Sequence, residues 1–383
     1  MANREIRHIR LGDFIVPKDE RNSSNLDYKV MGMNSQKVFM PTVANLENIE
    51  LSNYKIVRKG WFAFSGMQTG RDECIRIAIH ESETPILISP AYTTFAVDNS
   101  KGVMSEYLYM YFYRNEMDRF GWFISDSSVR SNLDWPRFLD ILLPVPYKDG
   151  KPDCERQQEI VNVWQGFRKM KRQNEELYEP LSQLCRSYLE NLKSYCKPVE
   201  IGPFIEQTDE RNSDGRYSLD NLRGLSIQKV FTDSKANMEG VSLLPYKVVH
   251  PLDFCFVTVT SRNSEKITLA LNMSDEDYIV SSSYVTFKVR DKEKVDPKFL
   301  YLWFCRPEFD RYARFHSIGS ARESFGYSDM EKVQIPLPDI DTQRAIVNIY
   351  HCAEECRRIA TEADSLSQTV SPALMQHVIH EHN

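Results

Sequence analysis

The sequence has no Cys-x-x-Cys pair. Its eight cysteines, at 74, 154, 185, 196, 255, 305, 352 and 356, are thinly spread over 383 residues. That spacing excludes the usual zinc ribbon and the disulfide scaffold, and it fits reduced thiols in the cytoplasm. No apolar run approaches the ~18–20 residues that span a bilayer. The opening residues Met1 to His8 hold no hydrophobic stretch of signal-peptide length, so a cytoplasmic chain with no membrane partner is expected. Positive charge is not in excess either. A net charge of −6 excludes a protein that coats nucleic acid through a uniformly basic surface.

Catalytic signatures are missing too. There is no Gly-x4-Gly-Lys-Ser/Thr loop to cradle phosphates, hence no ATP-driven motor. No Asn/Asp-Pro-Pro-Tyr/Phe loop of an N6-adenine methyltransferase occurs, and Phe64 to Gly70 only partly echoes a Phe-x-Gly-x-Gly cofactor loop. Pro152-Asp153 lacks the further carboxylate and lysine of a nuclease site. His377-x-x-His380 and Cys352-x3-Cys356 read as a polar helix end and two small core thiols rather than metal ligands. The chain reads as non-enzymatic, with no catalytic residues, cofactor or metal.

What the sequence does contain is itself, twice. Gly32 to Phe39 (GMNSQKVF) recurs as Gly224 to Phe231 (GLSIQKVF), and Tyr54-Lys55-Ile56-Val57 recurs as Tyr246-Lys247-Val248-Val249. Ser89 to Val97 matches Ser281 to Val289, Leu108 to Arg119 matches Leu300 to Arg311, and Pro144-Val145-Pro146 matches Pro336-Leu337-Pro338, all at a separation of 192. Asp19-Glu20-Arg21-Asn22-Ser23 recurs 190 residues on, and Ile160-Val161-Asn162 recurs 186 residues on. Ordered blocks at nearly one spacing are not chance, and the period is far too long for a solenoid. The chain is one unit of about 190 residues written twice.

Within each copy, short aromatic or β-branched runs predict strands: Trp61 to Phe64, Ile75 to Ile79 and Thr93 to Val97. Leu108 to Phe120 predicts one helix, and Asp296-Pro297 gives its second copy an N-cap with proline at the first helical position. After each Pro-x-Pro segment comes a long amphipathic stretch, about Glu155 to Tyr195 and about Thr342 to Ile379. The first stripe is Ile160, Val163, Trp164, Phe167, Met170, Leu177, Leu181, Leu184, Tyr188 and Leu192. Pro180 and Pro372 are expected to break or kink these helices. Forty helical residues would reach ~60 Å, too long to be buried alone, so the two stripes are expected to pack as an antiparallel coiled coil. The fold class is α+β: two tandem mixed α/β units separated by two long helices, with a pseudo-twofold internal duplication. The expected boundaries are 1–154, 155–196, 197–340 and 341–383.

At this point the chain resembles the DNA-specificity (S) subunit of type I restriction-modification systems. The resemblance rests on the tandem units, the long helix after each, and the two junctions. The first junction runs from Ser128-Val129-Arg130 through Ile141 to Pro146 and on to Glu155-Arg156-Gln157-Gln158-Glu159-Ile160. The second runs from Ser320-Ala321-Arg322 through Val333 to Pro338 and on to Asp341-Thr342-Gln343-Arg344-Ala345-Ile346, with Thr342 where an acidic residue is usual. The resemblance implies that each unit is a target recognition domain reading half of a split site in double-stranded DNA. It implies that the helices set the gap and dock two methyltransferase (modification) subunits, with two restriction (translocase/nuclease) subunits in the full phage-defence assembly. Two alternatives stay open: a duplicated interaction scaffold without DNA, and the specificity subunit of another multi-subunit restriction enzyme. Near-neutral recognition units suit DNA reading better than the overall charge suggests, since residues 1–154 carry 19 cationic and 20 acidic side chains and residues 197–340 carry 19 and 22.

Bases are read by side chains with bidentate reach. The first candidate segment follows the aromatic strand: Gly66 to Asp72 with Gln68 and Arg71, leading to Arg76, and Thr260 to Lys266 with Arg262, Asn263 and Lys266. These align in position and differ in sequence, as readers of different half-sites should. The second candidate precedes the Pro-x-Pro segment and holds Arg130 and Asn132 in one copy and Arg322 in the other. Arg130 and Arg322 align, which suits phosphate contact better than base reading. Arg21-Asn22 and Arg211-Asn212 read as a structural loop, Tyr92 and Tyr284 as core, and Arg119 and Arg311 as members of local ion pairs.

Overall fold

The computed structural model describes residues 4–47, 49–67, 69–126, 131–234, 236–260, 266–319 and 323–380. The chain divides into two compact units, one of Met1–Asn174 with Arg358–Asn383 and one of Glu175–Arg357.

The first unit holds strands β1 (Arg4–Arg10), β2 (Ile15–Pro17), β3 (Trp61–Ser65), β4 (Arg76–Ile79), β5 (Thr93–Val97) and β6 (Leu142–Lys148). Its helices include α1 (Thr69–Asp72), α2 (Ser105–Phe112), α3 (Asn115–Ile124) and the beginning of α4 (Cys154–Tyr195). Four strands form an antiparallel sheet in the order β2-β5-β3-β4. β3 is buried from Phe62 to Ser65, which is why it reads as a continuous apolar run rather than an alternating one. Phe62 lies opposite Phe95 in the ladder, and their rings stack at 4.9 Å. The Pro-x-Pro segment is strand β6, which pairs antiparallel with β1 from Arg4↔Lys148 to Arg10↔Leu142.

The second unit repeats this plan with β7 (Pro198–Glu200), β8 (Ile205–Thr208), β9 (Phe254–Phe256), β10 (Leu269–Leu271), β11 (Val285–Val289) and β12 (Gln334–Pro336). Its helices are α5 (Pro297–Phe304), α6 (Pro307–Phe315) and the beginning of α7 (Ile340–His380). The sheet order is β8-β11-β9-β10. Phe254 and Phe287, equivalent to Phe62 and Phe95, stack in the same way at 4.7 Å. β12 pairs with β7 as β6 pairs with β1. The mixed α/β class and the internal duplication therefore hold in structure as well as in sequence.

Three expectations are corrected. The helix expected over Leu108 to Phe120 is two helices, α2 and α3, because Arg114 is extended (φ −80°, ψ 140°). The second copy shows the cause directly: Arg306 precedes Pro307, and a residue before proline is driven out of the α region. Asp296 does cap α5, accepting from Lys298 N at 2.7 Å, with Pro297 opening the helix.

The long helices also run through both prolines without breaking. Pro180 stands on the exposed side of α4.

The third correction concerns the buried stripe. Ile160, Trp164 and Leu192 are buried, but Val163, Met170, Leu177, Leu184 and Tyr188 are exposed. Cys185 and Leu189 are buried in their place. Two heptad series overlap on α4, and the seam facing the partner helix is the less apolar one. On α7 the seam is of small residues: Ala353, Ala360, Ala363 and Ser367, seven, three and four residues apart, are all buried. Within the first unit, Lys171 Nζ lies 2.9 Å from Asp364 Oδ1, and Leu374 packs on the core that holds Ile160. Those two segments therefore run antiparallel. Within the second, the Cys185 thiol reaches the Ile346 carbonyl at 3.9 Å.

One side chain in each half joins the mixed α/β unit to its long helix. Gln157 is fully buried at the start of α4; its Oε1 accepts from Met104 N at 3.0 Å, and its Nε2 donates to Gly102 O at 2.9 Å. Gln343, its equivalent in α7, accepts from Asp296 N and donates to Lys294 O and Pro338 O, all at 2.9 Å.

Candidate nucleic-acid interface

The aromatic strand β3 ends at Ser65 and the chain turns at Gly66 into α1, returning to the sheet as β4. Leu133 N, at the end of the second candidate segment, donates to Gly66 O at 2.8 Å. The approach is so close that a Cβ on Gly66 would sit 1.6 Å from the Leu133 carbonyl oxygen. Thr69 Oγ1 donates back to Gly66 O at 3.0 Å and holds the first turn of α1. In the second unit Phe325 N donates to Thr258 O at 2.8 Å, and Thr260 N donates to Glu323 O at 3.0 Å. Thr260 Oγ1 also donates to Ser317 Oγ at 2.8 Å. Both halves thus bring their two candidate segments side by side, by the same backbone hydrogen bond.

The individual residues fall out as follows. Arg76, on edge strand β4, pairs with Asp72 of α1 at 2.5 Å. Arg71 stands in α1. Asn132 is pinned through its backbone, its N–H donating to Asp126 Oδ1 at 2.9 Å and its carbonyl accepting from Asp126 N at 2.8 Å. Lys266 is exposed just before Ile267. Gln68, Arg130, Arg262, Asn263 and Arg322 lie outside the described residues. Asn22 and Asn212 are buried and close matching loops, Asn22 with Leu26 and Asn212 with Tyr217, through both ends of the side-chain amide. Arg119 and Arg311 face Glu116 and Glu308 at 3.8 and 3.5 Å.

Two features escaped sequence reasoning. The first is a buried ion pair in each half. Lys37 Nζ meets both oxygens of Asp118 at 2.7 and 2.8 Å and donates to Phe112 O at 2.6 Å. Lys229 Nζ meets Asp310 at 2.6 Å and donates to Ile267 O at 3.0 Å. Both lysines lie in repeated Gln-Lys-Val-Phe turns, and both aspartates lie in the repeated helix, but 81 residues separate the partners. The second feature is an aromatic side chain left in the open. Phe123, one residue before the end of α3, is 85% exposed, and its equivalent Phe315, the last residue of α6, is 83% exposed. Each stands two residues before a serine that closes its helix by donating to the carbonyl four residues back, Ser125 to Gly121 and Ser317 to Ala313. Each also leads straight into the second candidate segment.

Residues 255–362 match the family model of the type I restriction modification DNA specificity domain. The match to the family lies in the second copy, and the repeated ladder, stack, ion pair and glutamine joint carry the same architecture into the first. Among solved structures, this chain is similar to the S subunit of a type I restriction-modification system from M. genitalium, at TM-score 0.60 and 11% identity over 98% of this chain and 96% of that one. The HsdS subunit from Thermoanaerobacter tengcongensis aligns over 98% of this chain and 96% of that one at TM-score 0.40 and 16% identity. No curated protein sequence matches this chain significantly. No helix among the described residues is long and apolar enough to cross a membrane.

Proposed function

We propose that each half of the chain reads one half of an asymmetric, split DNA site. The observation that carries this reading is the pairing of two candidate segments in each half, by one shared hydrogen bond, on scaffolds that match while the segments themselves differ. Arg71, Gln68 and Arg76 in the first half, and Arg262, Asn263 and Lys266 in the second, are proposed base readers. Arg130 and Arg322, at equivalent positions, are proposed phosphate contacts, and Asn132 supports the segment beside Arg130. Phe123 and Phe315 add an aromatic face of one chemistry in both halves, suited to a groove contact that does not depend on sequence.

The long helices are proposed to set the gap between half-sites, in the way that spacing follows geometry in other bipartite DNA binders. They are also proposed to dock two methyltransferase subunits, joined by two restriction subunits in the full assembly. The series Val163, Met170, Leu177 and Leu184, repeating every seven residues on α4, supports docking, because among the described residues it stays exposed. Mapping methylated adenines in cells that hold the complex tests the reading. An asymmetric, interrupted motif is expected, and exchanging residues 1–154 for another recognition unit should change one half of it alone. A palindromic or uninterrupted motif refutes the proposal.

A further inference from the structure

The buried ion pairs do more than fill the core. Lys37 and Lys229 are only 4% and 5% exposed in their side chains, and their partners Asp118 and Asp310 are 17% and 10% exposed. An apolar pair of the same volume would pack as well or better at such a site. Each lysine also sits in the left-handed region, at φ +63° and +64°, which a residue with a Cβ adopts rarely. Both copies keep the same costly arrangement, so packing alone does not account for it.

The carboxylates show what the arrangement does. Asp118 Oδ1 accepts from Ile75 N at 2.9 Å, and Asp310 Oδ1 accepts from Ile267 N at 3.2 Å. Ile75 and Ile267 are where the first candidate segment of each half returns to the sheet. The residue before Ile75, Cys74, is held as well, its thiol donating to Ser35 O at 3.2 Å. The turn is tied down from its other side: Tyr109 OH donates to Lys37 O at 2.6 Å, and Tyr301 OH donates to Lys229 O at 3.2 Å. One carboxylate therefore joins three parts of the unit: the Gln-Lys-Val-Phe turn, the helix α3 or α6, and the returning end of the segment that follows the aromatic strand.

We propose that Lys37–Asp118 and Lys229–Asp310 are positioning pairs for DNA recognition, each setting where its own reading segment returns to the sheet and each governing one half-site. This rests on the reading that those segments contact DNA. The directional part is the carboxylate oxygen offered to the isoleucine N–H, and the lysine holds that oxygen in place.

Paired variants in the chain, assembled with its methyltransferase subunits, separate positioning from packing. Lys37→Met with Asp118→Asn removes both charges and keeps an oxygen for Ile75 N–H. Lys37→Met with Asp118→Leu removes the charges and the oxygen together. The first should keep the wild-type methylated motif. The second should relax discrimination at the half-site of the first unit by ten-fold or more, with the other half-site unchanged. Lys229→Met with Asp310→Leu should do the reverse. Asp310→Glu, which keeps the charge and shifts the oxygen by one methylene, provides a folded test if the leucine variants fail to assemble; it should alter the second half-site alone. An unchanged motif in the assembled leucine variants, or in Asp310→Glu, overturns the proposal. Exchanging residues 1–154 in parallel tells the two readings apart. If the exchange changes one half-site and the pair variants do not, positioning fails and DNA reading stands. If the exchange changes nothing, DNA reading itself has failed.

Discussion

Replacing Gln343 by leucine tests the joint between the mixed α/β unit and its long helix. The side chain is fully buried and makes three hydrogen bonds at 2.9 Å, to Asp296 N, Lys294 O and Pro338 O. Leucine has nearly the same volume and none of the polar atoms, so all three backbone groups lose their partner where water cannot replace it. At roughly 1 kcal/mol per bond, the loss is about 3 kcal/mol. Added apolar burial returns about 1 kcal/mol, leaving a net cost of about 2 kcal/mol. For a unit of this size that is a fall of about 4–8 °C in melting temperature. Gln157 makes two such bonds, at 3.0 and 2.9 Å, so Gln157→Leu should cost about 1 kcal/mol and about 2–4 °C. Calorimetry of the chain reads both. The assembled variants should also tolerate a wider range of gap lengths while reading the same bases, because the joint loosens and the reading segments do not change. Equal shifts, a larger effect at Gln157, or a narrowed gap tolerance would refute this account of the joint.

Other perturbations follow from the same geometry. His250 bonds Asp277 at 2.7 Å and Glu210 at 2.8 Å; burial opposes its protonation, but the two carboxylates outweigh burial and raise its pKa. A histidine whose folded pKa is raised stabilises fully below its unfolded value of ~6.5 and loses that contribution as pH rises through the folded value. The equivalent residue in the first half is Arg58, which Glu20 keeps protonated. His250→Arg should therefore flatten the pH dependence of the urea midpoint across neutrality, and an unchanged profile would remove His250 from the account. Gly66→Ala puts a Cβ against the Leu133 carbonyl oxygen and should destabilise by about 1–3 kcal/mol and blur the first half-site; a silent substitution would mean the two segments are not rigidly seated. Phe123→Ser and Phe315→Ser, at exposed positions, should leave melting unchanged and weaken duplex binding by the assembled complex for all sequences alike; a change in the motif would make them base readers instead. Met170→Glu with Leu177→Glu should leave the isolated chain folded and prevent co-purification of the methyltransferase subunits.

The repeat made the scaffold legible and left the joints between its parts obscure. Strands β3 and β5 could be read directly, because their apolar runs end at glycine, proline or serine and recur 192 residues on. The α2–α3 break was hidden in the first copy, where no proline marks Arg114, although Pro307 announces it in the second. The seam of α4 was misread for a physical reason. Two heptad series differ by one residue, and the more apolar of them, at Val163, Met170, Leu177 and Leu184, faces outward. Periodicity shows that a face exists; only packing decides which partner takes it. Lys37 and Asp118 both stood in repeated blocks, yet nothing in a linear pattern brings together residues 81 apart.

The same logic says why base readers are the last thing such a sequence yields. Comparing two copies of one unit reveals what both need: the stacked phenylalanines, the glutamine joint, the buried lysine and its aspartate. A residue that reads one half-site is needed in one copy and wrong in the other, so the comparison is blind to it. What differs on an otherwise matched scaffold is then the informative set. Gly66 to Asp72 and Thr260 to Lys266 leave equivalent strands and return at equivalent isoleucines, each held by an equivalent aspartate. Between those matched ends almost no residue is shared. Divergence between these matched supports is what a pair of readers for two different half-sites requires.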